Sequence, residues 1–318
     1  MNKTNAQSAR NIIRNQGSFV IFLLICLIAV VFVPNFARFQ NFVIIVKQAA
    51  IPTIALVGMT LVLMTGGIDL SLGYNLGLCS IVLGLMVKSW EFPIWFSIAS
   101  TLLTGTFVGL INGICVQVIK VPAFIATLGT GYIVLGAAQI VSSGAAINRL
   151  PKALLAIGKT PVGPFNTTVM IALIVCLVFY YVLHMSTFGR SLFAFGLSEP
   201  ASRMAGVDTG RVNMTVYIVC GFLAGLAGVL LTIDVNCAQP TMGGGDYTFT
   251  VITGAVLGGI SLYGGVGSVL GAAFGMLTLK VINNCINLMN AAYYLSSAIM
   301  GIIILSAIIF ENVKNRKL

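Results

Sequence analysis

Long, unbroken apolar runs separated by short polar breaks make up most of this chain. Phe19–Val33, FVIFLLICLIAVVFV, is apolar at every position, so it has neither the two-residue alternation of a half-buried strand nor the one-sided stripe of a surface helix. A hydrocarbon layer about 30 Å thick takes roughly 20 such residues as one helix. The pattern predicts spans at 18–34, 44–64, 70–87, 93–119, 122–143, 164–185, 212–233, 247–262, 265–287 and 292–310. The expected fold is an all-α polytopic membrane protein of about 10 transmembrane helices. Barrel strands would read as alternating segments of about ten residues, so a barrel is excluded. On this reading residues 1–17 form an N-terminal segment, 18–310 a single transmembrane domain and 311–318 a tail.

Two stretches depart from the pattern. TGGIDLSLGYN (Thr65–Asn75) places Asp69, one of seven acidic residues, amid some of the most apolar sequence. Gly66 and Gly67 let the backbone leave the helix, and Asp69 with Ser71 can satisfy the groups that the break frees and cap the next helix. A broken or re-entrant segment near 65–73 is therefore expected, with Asp69 structural. GGISL (Gly258–Leu262) echoes GGIDL (Gly66–Leu70), a faint internal repeat. The second departure, TFGRSLFAFGLSEPASRMAGVDTGRVN (Thr187–Asn213), is rich in charge and cannot span. Ser198 as cap, Glu199 and Pro200 in a first turn and Gly206 as stop predict a short helix near 198–206, outside the bilayer.

Composition sharpens this picture. Hydrophobic residues make up 58% and charged ones 8%; soluble domains average about a quarter charged. The formal charge of +10 reads as the positive-inside rule, with no nucleic-acid partner. With the N-terminus cytoplasmic, Lys3, Arg10, Arg14, Lys120, Arg190, Arg203, Arg211, Lys314, Arg316 and Lys317 lie inside, against Arg38, Lys88, Arg149, Lys152 and Lys159 outside. Both termini and the loop 187–211 are then cytoplasmic, and the first apolar run is a retained helix. Lys47 and Lys280 fall inside expected spans. Glycines four apart, as in Gly105–Gly109–Gly113 and Gly267–Gly271–Gly275, favour close helix crossings.

Enzyme chemistry has little to stand on. There is no phosphate-binding G-x-x-x-x-G-K-[ST], no H-E-x-x-H, no C-x-x-C, and a single histidine, His184, at a helix end. No metal or catalytic residue is assigned. Polar residues within spans are mostly neutral: Asn75, Asn112, Gln117, Thr127, Gln139, Asn283, Asn284 and Asn287. That inventory suits a neutral polyhydroxylated solute better than an ion, although each such Asn serves as helix glue more often than as pore lining. Ser71, Asn75, Asn112, Thr127, Asn283 and Asn287 are the candidates for the solute path.

Five segments carry a resemblance over nearly the whole chain: ALVGMTLVLMTGGIDLSLG (Ala55–Gly73), VPAFIATLGT (Val121–Thr130), GRSLFAFGLSEPASRMAGV (Gly189–Val207), CGFLAGLAGVL (Cys220–Leu230) and AQPTMGGGDYTFTVITGAVLGGISLYGGVGSVLGAAFG (Ala238–Gly275). The chain resembles the permease subunits of bacterial ABC sugar importers of the ribose, arabinose, xylose and autoinducer-2 group, and within it most the ribose members. The resemblance implies a non-enzymatic subunit in the bacterial inner membrane that binds no cofactor. A separate cytoplasmic ATPase would use ATP and Mg, a second permease copy or paralogue would pair with it, and a periplasmic or lipid-anchored binding protein would deliver the sugar. The family's loop reads like E-A-A-x-R-x-S-G-I and inserts a short helix into the ATPase. Glu199, Ala201, Arg203, Gly206 and Val207 match it, whereas Pro200 and Ala205 depart. The rival reading is a self-sufficient secondary transporter, which would rely on buried carboxylates; an intramembrane enzyme is more remote.

Overall fold

The computed structural model describes residues 2–290 and, beyond them, 295, 297–299, 301–303, 305–306 and 309, with side chains from Gly17 onward. Helix α1 (Asn2–Phe32) runs without a break from the polar N-terminal segment into its apolar part, Gly17–Phe32. It is followed by α2 (Phe39–Met64), α3 (Leu72–Gly84), α4 (Ile94–Gly113) and α5 (Ala123–Ser142). Wider π turns at Leu85–Ser89 and Ile114–Val118 prolong α3 and α4. Next come the short α6 (Lys152–Lys159), the spanning α7 (Thr167–Met185), α8 (Thr187–Leu197) and α9 (Glu199–Met204). The chain then forms α10 (Thr209–Val235), α11 (Gly244–Leu257) and α12 (Val269–Leu288). Among the described residues, seven helices are long and apolar enough to cross a membrane, and the apolar part of α1 is shorter. The protein is thus an all-α polytopic membrane protein.

Burial separates centre from rim. The membrane-length windows of α2 and α10 are 72% buried, against 28% for α4 and α5, so the first pair forms the axis and the second faces lipid. Close glycine crossings make this possible. A Cβ on Gly109 would lie 2.3 Å from the Tyr217 carbonyl oxygen, and one on Gly221 2.3 Å from that of Gly105, so α4 and α10 touch backbone to backbone. On the other side Gly275 of α12 meets Gly254 and Gly258 of α11 in the same way.

Two ends of the bundle are distinct. At one, α7 turns through Ser186 into α8 and α9, and the start of α10 bonds to the end of α4 through Asn213 and Gln117 (3.0 Å). At the far end two small pairings close the loops: β1 (Ile147–Asn148) with β4 (Cys237–Ala238), and β2 (Pro161–Val162) with β3 (Phe165–Asn166). Lys88 donates to the Asn148 carbonyl there. Trp90, Phe92, Trp95 and Phe96 stand exposed beside them in edge and tilted contacts, an interfacial aromatic belt.

The structure corrects several expected boundaries. Helix α3 starts at Leu72 and runs on to Ser89. The span expected at 247–262 is instead α11, 14 residues long, about 21 Å at 1.5 Å per residue and too short to cross alone. Its missing length is non-helical chain: Ala238 packs on Gly84, Pro240 and Met242 on Gly77, and Gly244 on Gly73, so residues 238–244 descend along α3 through a turn before the helix begins. Glycines on α3 leave room for that backbone. The last expected span, 292–310, and the tail lie largely outside the described residues.

A contrast of two glycines tests this packing. Gly109→Leu should lower the detergent-stable yield severalfold, because its side chain would meet the α10 backbone. Gly129→Leu, with nothing within 4 Å of its Cβ position, should leave the yield near that of the unaltered chain. Size-exclusion recovery of both variants provides the measurement.

Candidate functional site

Three helices stop in one way. In α2 the amide of Gly66 donates to the Leu63 carbonyl (2.8 Å) and that of Gly67 to Val62 (3.2 Å), with Gly66 at φ +75°. In α11 Gly259 and Ile260 donate to Val256 and Ala255, with Gly259 at φ +81°. In α9 Gly206 and Val207 donate to Arg203 and Ser202, with Gly206 at φ +84°. Each is a Schellman ending: a left-handed glycine turns the last amides back onto the helix's orphan carbonyls. The echo between GGIDL and GGISL is therefore two helix stops of the same geometry, offset by one residue.

These stops meet. The amide of Gly265, in the loop after α11, donates to the carbonyl of Met64, the last residue of α2 (3.0 Å). Gly196, near the end of α8, lies over both: a Cβ there would be 2.0 Å from the Met64 oxygen and 2.3 Å from the Gly265 nitrogen. The α8–α9 pair is thus in backbone contact with both helix breaks. Sequence reasoning did not find this joint, and only the density of glycine pointed toward it.

Beyond Gly66 and Gly67, the break is held by a sealed polar cluster. Oδ1 of Asp69 accepts from the Ser71 amide (2.9 Å), the Ser71 hydroxyl (2.6 Å) and Asn112 Nδ2 (3.3 Å). Asn112 also donates to Ser71 Oγ (2.7 Å). Asp69 is 2% exposed, and Ser71 and Asn112 are fully buried. The geometry differs from the expected cap. Ser71 is the N-cap of α3 and its side chain makes no capping bond, while Asp69 closes a turn onto the residue two ahead. Thr127 on α5 receives the Leu70 amide (3.0 Å) and reaches the Ile68 carbonyl (3.2 Å). Asn75 donates to the Gly105 carbonyl (3.2 Å) at the α4–α10 crossing. Of the residues expected along a solute path, Ser71, Asn75, Asn112 and Thr127 therefore bond between helices, with only the Asn112 Nδ2 engaged and its Oδ1 buried without a partner.

The other two, Asn283 and Asn287, stand elsewhere. With Lys47, Gln48, Asp234, Asp246, Tyr247 and Lys280 they line a cavity of about 660 Å³ between α2, α10, α11, α12 and residues 297 and 301. Asp234 and Asn287 lie in the last turns of α10 and α12, so the cavity approaches the far end. Lys280 inside a span was the legible hint; convergence with Lys47, Asp234 and Asp246 was not.

On the α9 end, Ser198 caps by accepting from the Ala201 amide (3.4 Å), and Arg203 pairs with Glu199 (2.9 Å). Side-chain exposures of 64% and 39% leave that i,i+4 pair to solvent screening, so it contributes a few tenths of a kcal/mol at most. Ser202 and Thr209 face inward, whereas Met204 is 90% and Leu197 73% exposed. These exposed apolar side chains stand at the end of α8 and on α9, and the sequence reading had not singled out either residue. Ala201 and Gly206 lie on the exposed surface and Val207 is half-buried.

Comparison with known proteins places this geometry. A family model described as the permease component of branched-chain amino acid transport systems matches residues 41–308. The chain belongs to this permease family. The permease is 35% identical over 305 residues to the ribose import permease of Escherichia coli (strain K12), covering 94% of each chain. It is 34% identical over 313 residues to that of Haemophilus influenzae, covering 97% of this chain and 96% of that one. The L-arabinose transport system permease of Escherichia coli (strain K12) is 31% identical over 300 residues, covering 94% and 91%. No solved structure matches the permease.

Asp69 gives the test of the sealed cluster. Asp69→Asn keeps an oxygen for the same donors and should fold and transport. Asp69→Leu orphans buried donors at about 1–3 kcal/mol each and should cut the folded yield. Detergent-stable yield and vesicle uptake are the readouts; a well-folded but inactive Asn variant would make Asp69 a working carboxylate.

Proposed function

We propose that this permease is the membrane subunit of an ATP-driven importer that carries a ribose-like monosaccharide inward across the bacterial inner membrane. The observation that carries the reading is the capped, exposed α8–α9 pair joined through Gly196 to both helix breaks. A separate ATPase docks on α9, using Glu199, Ala201, Arg203, Gly206 and Val207 together with Met204 and Leu197. ATP and Mg act on that partner and none is held by this chain. The α9 end and both termini face the cytoplasm, in keeping with the Lys and Arg of the loops. A second permease copy completes the complex, and a periplasmic or lipid-anchored binding protein delivers the solute at the far end.

Support for a sugar comes from the names of the relatives, ribose and arabinose permeases. The family description names branched-chain amino acids instead, which makes an amino-acid cargo the second reading. Asp69 is spent on Ser71 and Asn112, so a secondary transporter would have to work through Asp234 and Asp246 instead.

Coupling is tested on the reconstituted complex. Glu199→Lys with Gly206→Leu should dissociate the ATPase. Gly196→Val should leave it bound and hydrolysing ATP while uptake falls at least tenfold, because its side chain forces α8 off Met64 and Gly265. Normal uptake in both would remove the coupling role. Impermeant thiol labelling of Ser198→Cys from outside intact cells should fail; labelling there would invert the topology. Uptake of L-leucine with none of any aldose would establish the amino-acid reading.

A further inference from the structure

The cavity between α2, α10, α11 and α12 has a lining that membrane packing alone does not explain. Four charged side chains face it, Lys47, Lys280, Asp234 and Asp246, two of each sign. The only ion pairs among the described residues are Glu199–Arg203 and Asp208–Arg211, at the opposite end, so none of the four is paired with another. Lys280 lies eight residues before the end of α12, about 12 Å along the helix. A charge at such depth is costly in hydrocarbon, and such residues face a bundle interior or a polar cavity. Neutral capacity adjoins the charges. Tyr247 lines the cavity with its ring, while its hydroxyl is sealed away from the open space with no hydrogen-bond partner. Pro52 in the middle of α2 denies the Gln48 carbonyl the amide four residues on, and both residues line the cavity.

Opposite charges held apart around an open cavity fit one ligand class. A hydroxyl donates to a carboxylate and accepts from an ammonium, so a polyol can bridge both poles with charge-assisted bonds. An anion would meet Asp234 and Asp246 as repulsion, and a cation would meet the lysines. Tyr247 and Phe249 add ring faces for the apolar side of a sugar ring. We propose that this cavity is a solute-binding site within each permease, selective for an uncharged polyhydroxylated solute, with Lys280 and Asp246 as the opposed poles that set the selectivity. It rests on the sugar-importer reading and adds the place and the chemistry.

The test uses the complex of permease, ATPase and binding protein in proteoliposomes, with D-ribose and D-ribonate as probes. Asn283→Cys is labelled with a membrane-impermeant methanethiosulfonate against the unaltered chain as control. D-ribose at millimolar concentration should slow labelling at least threefold and D-ribonate should not. Adding Lys280→Met should abolish the protection by D-ribose, and adding Asp246→Asn should shift protection toward D-ribonate at least threefold. A merely structural pair of residues would lower yield without moving that ratio. ATP-driven D-ribose uptake combined with labelling indifferent to both probes would overturn the site and spare the importer reading. L-leucine uptake with no aldose transported would overturn both. Where Lys280→Met fails to assemble, the Asn283→Cys protection in an otherwise unaltered chain still decides the outcome.

Discussion

Inside a bilayer a broken helix has no water to pair its freed backbone groups, and this permease satisfies that constraint at one place. The carbonyl that ends α2 takes the amide of Gly265, and the glycine near the end of α8 lies against both. Each partner is backbone, so the fit tolerates almost no side chain. Left-handed glycines at 66 and 259 turn the two breaks toward one another, and the sealed Asp69–Ser71–Asn112 cluster fixes the direction in which α3 leaves. The arrangement of helices around α2 follows from these few contacts.

That joint also explains why polar residues within the spans divide into two groups. Around the break, Asp69, Ser71, Asn112, Thr127 and Asn75 all bond to the helices that they hold, although the Asn112 Oδ1 is left without a partner. Between α2 and α12, Lys47, Lys280, Asp234 and Asp246 stand around open space. The first group ties helices together and the second surrounds a cavity.

Glycine is the residue through which these properties are coupled. On α4 and α10 it lets helices cross at backbone contact; on α3 it admits the non-helical chain that descends to α11; at Gly196 it lets the α8–α9 pair touch the breaks. A helix that starts part-way through the layer, as α11 does, leaves its first turn beside the cavity instead of at the membrane surface.

The sequence by itself determined what depends on local physics. Apolar runs set the membrane class and most spans, because hydrocarbon demands continuous apolar helix. Ser198, Pro200 and Gly206 set the start and stop of α9, because capping and left-handed turns are made within a few residues. The break at Gly66–Gly67 was legible for the same reason. What only the tertiary structure decided depends on residues far apart in the chain. Asp69 closes a turn and binds Asn112, 43 residues on, instead of capping α3. α11 is a half-span because Gly73, Gly77 and Gly84 of another helix admit the non-helical segment that leads into it. Among the asparagines, identical in composition, Asn112 is glue and Asn283 lines a cavity, since hydropathy records that a polar group is present but not which helix stands opposite it.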